Sequence, residues 1–319
     1  QYDYQYDAVG NRTQMDISTS TTTDTYSYTY DDAYRMIEET QALMGNASVS
    51  TTYQYDRAGN RTRMADSSGD ITQYLYNSNN ELTRVNKPDY YFEDYTYDAR
   101  GNLIQVEAGG HGTYSATNYA YNAQDQMVSY GMGSTPFITY EYDHADNRVA
   151  QTISSTTTNY LWDEFSRFGD VILETNPTNT IGYTLASGML VSQTNNGAVD
   201  YFLQDAQGST IGIADSSGAV TSNYVYDAFG NLADGTDPLA LETNYLYTGQ
   251  QFDPVYTELY NLRARQYDPS NGRFTSRDKW AYDYQNPFEL NRYVYTSNNP
   301  MTYTDPSGNT MSHDQILLD

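Results

Sequence analysis

Tyrosines alternate with polar residues in short runs along most of the chain. Tyr26, Tyr28 and Tyr30 stand two residues apart, and so do Tyr95 and Tyr97. A period of two places these rings on one face of a β-strand. Thr and Ser fill many of the alternate positions, as expected for a solvated opposite face. The pattern predicts strands that are buried on one side and polar on the other.

A helical period with start and stop signals is not evident in any segment. Residues 33–44 are the best candidate, and a helix there would be short and peripheral. The sequence therefore predicts an all-β protein.

The last tyrosine of a run usually begins the motif Tyr-Asp-x-x-Gly-Asn-Arg/Leu. Successive copies start 20 to 25 residues apart. A fixed period in this range is typical of repeat architectures, which build an extended surface or an enclosure. We therefore expect a construction element rather than a compact enzyme. The thirteen anchor positions are Tyr6, Tyr30, Tyr55, Tyr76, Tyr97, Tyr121, Tyr142, Trp162, Tyr183, Gln204, Tyr226, Tyr247 and Tyr267.

The repeat motif also predicts a tight turn. The Asp or Asn that follows the anchor can accept hydrogen bonds from backbone N–H groups of the same turn. Four residues after the anchor, nine units have a residue that tolerates positive φ: Gly10, Gly59, Asn80, Gly101, Asp125, Asp146, Gly208, Gly230 and Asn271. A return strand such as residues 102–106 then follows. Repeated along the chain, this unit predicts an antiparallel β-hairpin ribbon.

Composition and charge narrow the range of partners. With 36 Tyr, 9 Phe and 2 Trp, the core must be built largely from aromatic rings. The net charge of −25 argues against nucleic acid or an anionic membrane as a partner. No stretch is long and apolar enough for a transmembrane helix, so we expect no membrane insertion.

Metal and cofactor sites are not indicated. The absence of Cys excludes disulfides and thiolate ligands, and His111, His144 and His313 are isolated from one another. Residues 66–70 lack a complete calcium-loop pattern. The glycines fall at repeat intervals where they serve turns, so they do not indicate a phosphate-binding loop. Asn11, Asn46 and Asn60 match the glycosylation acceptor rule. Asn11 and Asn60 lie in repeat turns, where chance explains the match.

Near residue 260 the repeat pattern ends and a dense series of other motifs begins. The series reads LYNLRARQYDP (259–269), GRFTSRD (272–278), NRYVY (291–295), NNP (298–300) and DPSG (305–308). It resembles the core domain associated with RHS repeats, and the upstream copies resemble the YD repeats of the same family. The resemblance divides the chain into YD repeats at 1–258, a core domain at 259–309 and a short tail at 310–319.

The resemblance implies a β-ribbon that spirals into a hollow shell or tube, with the core domain closing one end. Relatives of this kind include bacterial polymorphic toxins, the cocoon of insecticidal toxin complexes and the animal teneurins. Their shells enclose a C-terminal toxin or serve as adhesive scaffolds at the cell surface. We therefore expect an extracellular or surface-displayed protein that is part of a longer polypeptide, with encapsulated C-terminal cargo as one option.

Some relatives cut their own chain after Asp-Pro-x-Gly by an aspartyl mechanism. On this resemblance Asp278, preceded by Arg277, and Asp305 are the candidate catalytic carboxylates, and Asn309–Thr310 is the scissile bond. Two carboxylates can share a proton, so that one activates water while the other protonates the leaving amide. Arg277 would hold one of them ionised. Lys279 stands where the family commonly has Pro, and both Asp residues also fit an ordinary turn role.

Three functions remain open at this point. A structural wall is the leading one, either as a closed container or as a filament, because open strand edges favour head-to-tail addition. A self-processing toxin-delivery shell is the second, although a ten-residue tail is too short to fold as a toxin. An adhesin that binds glycans or proteins through exposed tyrosines is the third.

Overall fold

The chain forms two compact groups of segments. The computed structural model describes residues 1–18, 21–45, 47–163, 165–166, 169–233, 236–280, 290–309 and 312–313. One unit combines Gln1–Ala116 with Arg277–Thr304, and the other combines Thr117–Ser276 with Asp305–Asp319. These units reflect spatial contacts, whereas the division at residues 258 and 309 reflects sequence motifs. The motif-based division stays a prediction.

Strands account for nearly all of the regular structure. The first ten are β1 (Tyr2–Tyr6), β2 (Arg12–Ser18), β3 (Thr23–Tyr30), β4 (Met36–Ala42), β5 (Val49–Tyr55), β6 (Arg61–Asp66), β7 (Ile71–Tyr76), β8 (Leu82–Asn86), β9 (Phe92–Tyr97) and β10 (Leu103–Gly110). The next eleven are β11 (Thr113–Tyr121), β12 (Met127–Met132), β13 (Thr135–Tyr142), β14 (Arg148–Ile153), β15 (Thr156–Asp163), β16 (Asp170–Thr175), β17 (Thr180–Ala186), β18 (Met189–Asn195), β19 (Ala198–Gln204), β20 (Thr210–Asp215) and β21 (Val220–Asn223).

The C-terminal part contains shorter elements. Its strands are β22 (Gln251–Asp253), β23 (Leu259–Leu262), β24 (Arg265–Asp268), β25 (Arg273–Phe274), β26 (Tyr303–Thr304) and β27 (Ser312–His313). In the described residues the helical elements are 3₁₀ turns at Pro88–Tyr90, Pro238–Ala240, Tyr247–Gly249 and Thr296–Asn298.

Strand pairing follows chain order. From β1 to β10 each strand pairs antiparallel with the next. The same holds from β11 to β21. The strands β22 to β25 form a separate antiparallel sheet. The predicted all-β class and the predicted antiparallel hairpin ribbon are confirmed.

The helix considered for residues 33–44 does not form. Met36–Ala42 is strand β4, which pairs with β3 on one side and β5 on the other. Buried Met36 and Glu39 stand three residues apart, a spacing that also occurs on helices. Pairing with both neighbouring strands decides the conformation here, as tertiary context commonly overrides local propensity.

The predicted turn chemistry is present in detail. At the first turn, Asp7 Oδ1 accepts hydrogen bonds from the N–H groups of Val9 (3.0 Å) and Asn11 (2.9 Å). The Gly10 N–H donates to the Asp7 carbonyl oxygen at 3.2 Å, and Gly10 has a φ of 94°. This is a three-residue hairpin loop that closes with a left-handed residue. The same φ sign occurs at Gly59, Asn80, Gly101, Asp125, Asp146, Gly208 and Gly230.

The prediction of a left-handed residue at Asn271 is wrong. Gly272 has the positive φ, at 64°, and its N–H donates to the carbonyl oxygen of Pro269 rather than to that of Asp268. The turn therefore begins one residue later than in the repeats. Pro269, whose φ is fixed near the value of a turn position, accounts for the displacement.

The anchor side chains join each repeat to the one before it. Tyr55 Oη donates to the Met36 carbonyl oxygen at 2.7 Å, and Met36 is the sixth residue after the preceding anchor. The same six-residue offset recurs at five further pairs: Tyr30 with Arg12, Tyr76 with Arg61, Tyr142 with Met127, Trp162 with Arg148 and Tyr226 with Thr210. Each anchor thus fills a strand face and also fixes the register between units.

Arginines of the repeat motif are buried among these rings. Arg12, Arg61 and Arg148 are each less than 5% exposed. The guanidinium of Arg61 lies 4.8 Å from the ring centre of Tyr53 and 5.9 Å from that of Tyr74. The electron-rich face of an aromatic ring attracts a cation placed over it, so these contacts are favourable. The Arg of the motif is therefore a core residue of the wall.

Candidate functional site

The repeat turns of the first unit are bound by a segment from the end of the chain. Asn291 Nδ2 donates to Asn60 Oδ1 at 2.7 Å and to the Ala58 carbonyl oxygen at 3.0 Å. Asn298 Nδ2 donates to the Gly59 carbonyl oxygen at 2.8 Å. Two asparagines of the core motif thus bind one repeat turn through its exposed carbonyls and its Asn.

Other turns of the same unit are bound in the same manner. Asn299 Nδ2 donates to Asn11 Oδ1 at 2.9 Å. Tyr293 Oη donates to the Gly101 carbonyl oxygen at 3.0 Å, and the Arg277 N–H donates to that same oxygen at 3.1 Å. Three turns, belonging to the first, third and fifth repeats, are therefore held by residues 277–299.

In the second unit, tyrosines take the place of the asparagines. Tyr247, Tyr260 and Tyr267 each donate a hydroxyl hydrogen bond to a carbonyl oxygen within one turn. The acceptors are Ala228 at 2.9 Å, Gly230 at 2.9 Å and Phe229 at 2.7 Å. A neighbouring turn is held through Ser209, whose Oγ accepts the Thr248 N–H at 3.0 Å. In both units, then, the C-terminal segment (residues 245–309) covers repeat turns.

A buried ion pair joins this segment to the repeat sheet in the second unit. Arg148 Nη1 lies 2.6 Å from Asp253 Oδ2, and the two side chains are 0% and 3% exposed. Arg148 Nη2 also donates to Gln251 Oε1 at 2.6 Å, and Tyr140 Oη donates to Asp253 Oδ2 at 3.1 Å. Burial raises the pKa of Tyr140 well above its ordinary value, and the Asp253 charge adds to this. The pair thus fixes β22 against β13 and β14.

Glu174 on β16 extends this polar cluster. Burial raises the pKa of Glu174 from 4.5 to about 7, a rise that hydrogen bonding to Tyr183 and the charge of Arg148 partly oppose. Gln251 Nε2 donates to Glu174 Oε1 at 3.5 Å. Glu174 is therefore a titratable group near neutral pH at the boundary between the sheet and the C-terminal segment.

Asp278, the first predicted catalytic carboxylate, lies in the first unit. Its Oδ1 accepts the Trp280 N–H at 2.7 Å, and Arg292 Nη2 lies 3.7 Å from the same oxygen. The Arg277 side chain is exposed, while its backbone N–H binds Gly101. Arg292 is thus the described cation next to Asp278, and the role predicted for Arg277 stays a prediction.

Asp305, the second predicted carboxylate, is buried in the second unit at 4% exposure. Arg265 Nη2 lies 3.5 Å from Asp305 Oδ2. Asp305 Oδ1 accepts hydrogen bonds from the Asn309 N–H at 3.1 Å and from Ser307 Oγ at 3.2 Å. Asp305 therefore accepts hydrogen bonds within its own turn, as an ordinary turn residue does. It also has a cationic partner, as the cleavage hypothesis expects for one carboxylate of the pair.

The predicted scissile bond is only partly within the described structure. Asn309 is described and half-buried, whereas Thr310 lies outside the described residues. Asp278 and Asp305 belong to different compact units, so their joint action in cleavage stays a prediction.

The Asp-Pro-Ser-Gly motif (residues 305–308) is tightly packed against the β23–β24 hairpin. Gly308 has a φ of 72°, and a side chain there would collide with the Leu262 carbonyl oxygen. Arg265 Nε donates to the Gly308 carbonyl oxygen, and Arg263 Nη1 donates to the Pro306 carbonyl oxygen. The Ala264 N–H donates to the Ser307 carbonyl oxygen at 3.3 Å. Three consecutive residues of the hairpin loop region therefore bind three consecutive carbonyls of the motif.

A cavity of about 480 Å³ adjoins the motif within the second unit. Pro306 and Arg263 line one part of it, and Trp162, Leu185 and Leu190 line another. Arg263 Nη2 lies 3.1 Å from Asp170 Oδ1, so the positive charge of Arg263 is balanced by the carboxylate of Asp170. Burial lowers the pKa of Arg263, and the charge of Asp170 acts in the opposite direction.

The structure also shows the surroundings of two of the three histidines. His111 packs edge-on to Tyr91, with ring centres 5.2 Å apart, and His144 is exposed in a repeat turn. His313 lies in β27, and its side chain is outside the described set. Among the described residues, no three His, Cys, Asp or Glu side chains are grouped to hold a metal ion.

The structure also bears on the asparagines that match the glycosylation rule and on membrane-spanning helices. Asn11 and Asn60 are buried at 3% and 2% exposure, so these acceptor amides are not accessible to modification. Asn46 lies outside the described residues. Within the part of the chain that the structure describes, no helix has the length and apolar character needed to cross a bilayer.

Sequence reasoning missed Arg265, Arg292 and the Arg148–Asp253 pair. Arg265 and Arg292 stand 40 and 14 residues from the carboxylates they bind, and Arg148 is 105 residues from Asp253. A charged residue inside an otherwise apolar strand pattern was the available signal, because buried charges are almost always paired.

Comparison with known proteins identifies related sequences. The sequence model of the teneurin YD-shell matches residues 1–301. The tRNA nuclease WapA of Bacillus subtilis (strain 168) is 34% identical over 287 residues, which is 88% of this chain and 11% of that protein. Human teneurin-4 is 23% identical over 273 residues, covering 72% of this chain and 10% of the relative.

Comparison with solved structures matches the chain to the crystal structure of TcdB2-TccC3-TEV. It has 18% sequence identity and a TM-score of 0.47, and the match covers 96% of this chain and 19% of that one. The chain thus spans about a tenth of the length of the curated relatives and about a fifth of this structural neighbour.

Proposed function

The chain belongs to the teneurin YD-shell family, and on this premise we propose that it forms a stretch of β wall in an extracellular or surface-displayed shell. The wall is part of a longer polypeptide, and its C-terminal segment fastens the turns of the repeats. The observation that carries this proposal is the set of hydrogen bonds from residues 277–299 and 247–267 to repeat turns.

The strength of this fastening lies in the chemistry of the turns. A hairpin turn leaves carbonyl oxygens pointing outward, which water would otherwise bind. Asn amides and Tyr hydroxyls of the C-terminal segment donate to these acceptors in place of water. The repeat sheet gains rigidity at this edge, as a wall requires.

Trypsin provides a direct test, because Arg57 and Arg100 lie in two of the covered turns and both are exposed. In the intact protein we expect slow cleavage at both sites, since the turn backbones are held by Asn291, Asn298 and Tyr293. Changing Asn291 and Asn298 together to Ala accelerates cleavage at Arg57 and leaves Arg100 protected by Tyr293. Equal rates in wild type and variant at Arg57 would refute the fastening role.

The similarity to tRNA nucleases concerns the wall and not the nuclease activity. With a net charge of −25, this chain repels an RNA backbone rather than binding it. We therefore assign to this segment the role of container for a C-terminal effector of the longer polypeptide. Measurement of tRNA binding by filter retention at low salt should give none, and salt-dependent binding by this chain would contradict the assignment.

The edge strand β1 is the place for continuation of the wall. Its described pairing is with β2, and alternate residues such as Asp3 and Gln5 are exposed. We propose that upstream strands of the same polypeptide pair here, with head-to-tail addition of another copy as the competing use of the edge. Light scattering and electron microscopy of this chain separate the two, because filaments appear only under the second.

Self-cleavage is the second candidate function, and the buried Asp305 next to Asn309 favours it. Water would add to the Asn309 carbonyl carbon after giving a proton to one carboxylate. The other carboxyl group, which holds the proton that the pair shares, would donate that proton to the Thr310 nitrogen as the C–N bond breaks. The products are a carboxylate at Asn309 and a free amine at Thr310, and Asp278, Asp305 and Arg277 are the residues assigned to this step.

Intact-mass measurement tests the cleavage. A fresh preparation of the wild-type chain should end at Asn309, and Asp278→Asn or Asp305→Asn should restore the full 319 residues. A wild-type chain that stays at full mass over days, from acidic to neutral pH, contradicts this function while leaving the wall function intact.

A further inference from the structure

We propose that Glu174 and the residues packed around it form a proton-controlled latch for the C-terminal segment. With Glu174 neutral, residues 245–253 are docked on the repeat sheet, and with Glu174 ionised they detach. This inference rests on the fastening of repeat turns proposed above and adds its regulation. All residues of the latch belong to the second unit.

The buried charges around Glu174 do not balance. Glu174 is 4% exposed and stands directly opposite Tyr160 in the pairing of β15 with β16. The cation of this cluster is Arg148, which already binds Asp253 at 2.6 Å. Among the described ion pairs of the second unit, none involves Glu174. One guanidinium thus serves two buried carboxyl groups, and the cluster is neutral only when Glu174 holds a proton.

The ionisable groups that face Glu174 come from three strands of the sheet and from the C-terminal segment. They are Arg148 on β14, Tyr160 on β15, Tyr183 on β17, Tyr245, and Asp253 on β22. Burial raises the pKa of each of the three tyrosines, and the charge of Glu174 contributes to each rise. The tyrosines therefore do not change charge near neutral pH.

Residues 245–253 close over Glu174. Gln251 Nε2 donates to Glu174 Oε1 at 3.5 Å. The ring of Tyr245 packs edge-on to that of Tyr183, with ring centres 4.8 Å apart. Tyr245 and Gln251 also line the cavity of about 480 Å³. When these two residues detach, Glu174 is open to the cavity and to water, and an ionised carboxylate regains the solvation that burial removes.

The same stretch fastens the repeat sheet through its backbone. The Thr210 N–H donates to the Leu246 carbonyl oxygen at 3.0 Å. The Thr248 N–H donates to Oγ of Ser209, the last residue of a repeat turn, at 3.0 Å. Detachment of residues 245–253 breaks both bonds and leaves this turn uncovered.

The latch is closed in acid and opens as the solution becomes alkaline. Burial raises the pKa of Glu174 from 4.5 to about 7, so the docked state binds the proton more tightly than the detached state. Docking is therefore most favourable below about pH 4.5 and weakens as the pH rises through 7. From pH 5.5 to pH 8.5 the equilibrium constant for detachment should increase roughly tenfold to thirtyfold.

Hydrogen exchange of the Thr210 and Thr248 amides tests the latch, at pH 5.5 and pH 8.5 and after correction for intrinsic rates. Wild type is compared with Glu174→Gln, which keeps the shape and hydrogen-bonding groups of the side chain but cannot ionise. Glu141→Gln is the matched control, because it makes the same chemical change at an exposed position of β13 in the same unit. His144, which is exposed, also titrates in this range and is present in all three proteins.

We expect the two amides of the wild type to lose protection by roughly tenfold to thirtyfold from pH 5.5 to pH 8.5. Glu141→Gln should respond as the wild type does, whereas Glu174→Gln should stay protected at both pH values. A response that persists in Glu174→Gln, or that is absent from the wild type, would overturn the latch.

The exposed turn at residues 215–219 separates failure of the latch from failure of the fastening. Gly218 lies in this turn, and its N–H donates to the Asp215 carbonyl oxygen at 2.9 Å. If the Thr248 amide exchanges as fast as that of Gly218 at pH 5.5, in wild type and Glu174→Gln alike, the fastening is refuted and the latch with it. Slow exchange of Thr248 that does not change with pH in the wild type refutes the latch alone.

Discussion

The hydroxyl of Tyr55 donates a 2.7 Å hydrogen bond to the carbonyl oxygen of Met36, which lies on the preceding repeat. The contact repeats with the same offset along both compact units. The Tyr of the Tyr-Asp motif therefore has a function that the Asp does not share, since the Asp caps its own turn whereas the Tyr reaches back to the previous one. The stability of the wall is then expected to be a sum over neighbouring repeats.

Removing one such hydroxyl should have a small and local cost. Tyr55→Phe keeps the ring and leaves the Met36 carbonyl without this donor, so unfolding by urea should become easier by about 1 kcal/mol. Tyr142→Phe, in a distant repeat, should add its own similar cost independently. Tyr90→Phe is the control, because that side chain is 90% exposed and its change should have no measurable effect.

The Arg148–Asp253 pair should show strong coupling. Arg148→Met alone leaves a buried carboxylate without its cation and should cost about 3 to 5 kcal/mol. Changing both residues to apolar side chains of similar volume should recover most of this loss. A double-mutant cycle by urea denaturation measures the coupling, and costs that simply add would show that the two charges act independently.

Glu174 should make the wall more stable in mild acid. Its folded pKa of about 7 lies above its ordinary value of 4.5, so the folded state binds the proton more tightly than the unfolded state. This contribution is fully present below about pH 4.5 and is lost as pH rises through 7. Relative to Glu174→Gln, the wild type should therefore gain about 2 to 3 kcal/mol between pH 8 and pH 5.

The comparison with Glu174→Gln cancels most other titrating groups. Four carboxylates of the repeat turns have lowered pKa values, because their turn hydrogen bonds outweigh the effect of desolvation: Asp7, Asp66, Asp98 and Asp143. These groups therefore stabilise the folded state less as the pH falls, which is opposite in sign to the effect of Glu174. A difference between wild type and variant that is flat from pH 8 to pH 5 would show that Glu174 does not titrate in this range.

Two turn glycines separate the cost of backbone conformation from that of packing. Gly10 and Gly101 both have positive φ, but a Cβ at Gly10 would meet nothing within 4 Å. A Cβ at Gly101 would lie 2.5 Å from Tyr293 Oη and 2.9 Å from Arg277 Cβ. Gly10→Ala should cost about 1 to 2 kcal/mol for conformation alone. Gly101→Ala should cost about 1 to 3 kcal/mol more for the collision, and equal costs by thermal unfolding would argue against close packing.

The local structure of the repeats could be predicted because it depends on residues a few positions apart. Asp7, Gly10 and their counterparts specify a turn within five residues, and the alternating tyrosines specify a strand. At Asn271 the same logic was displaced by one residue because Pro269 moved the start of the turn. At residues 33–44 two neighbouring strands outweighed a short helix-like spacing.

The contacts of the C-terminal segment could not be predicted in the same way. Asn291 and Asn60 are 231 residues apart, and Arg265 and Asp305 are 40 apart. No local pattern encodes such pairs, since each partner satisfies an ordinary turn or strand rule by itself. The motif indicated that residues 259–309 differ from the repeats, but their partners became identifiable only in three dimensions.

The most direct test of the fastening of repeat turns is hydrogen exchange in the wild-type protein at two chemically matched turns. The turn at residues 56–60 is covered by Asn291 and Asn298. The turn at residues 66–70, at the other end of β6, has the same Asp caps and the same left-handed glycine but is fully exposed. We predict that the amides of Gly59 and Asn60 exchange at least tenfold more slowly than those of Gly69 and Asp70, after correction for intrinsic rates. Equal exchange at the two turns would contradict the account, because it would show that the C-terminal segment adds nothing to the turns it contacts.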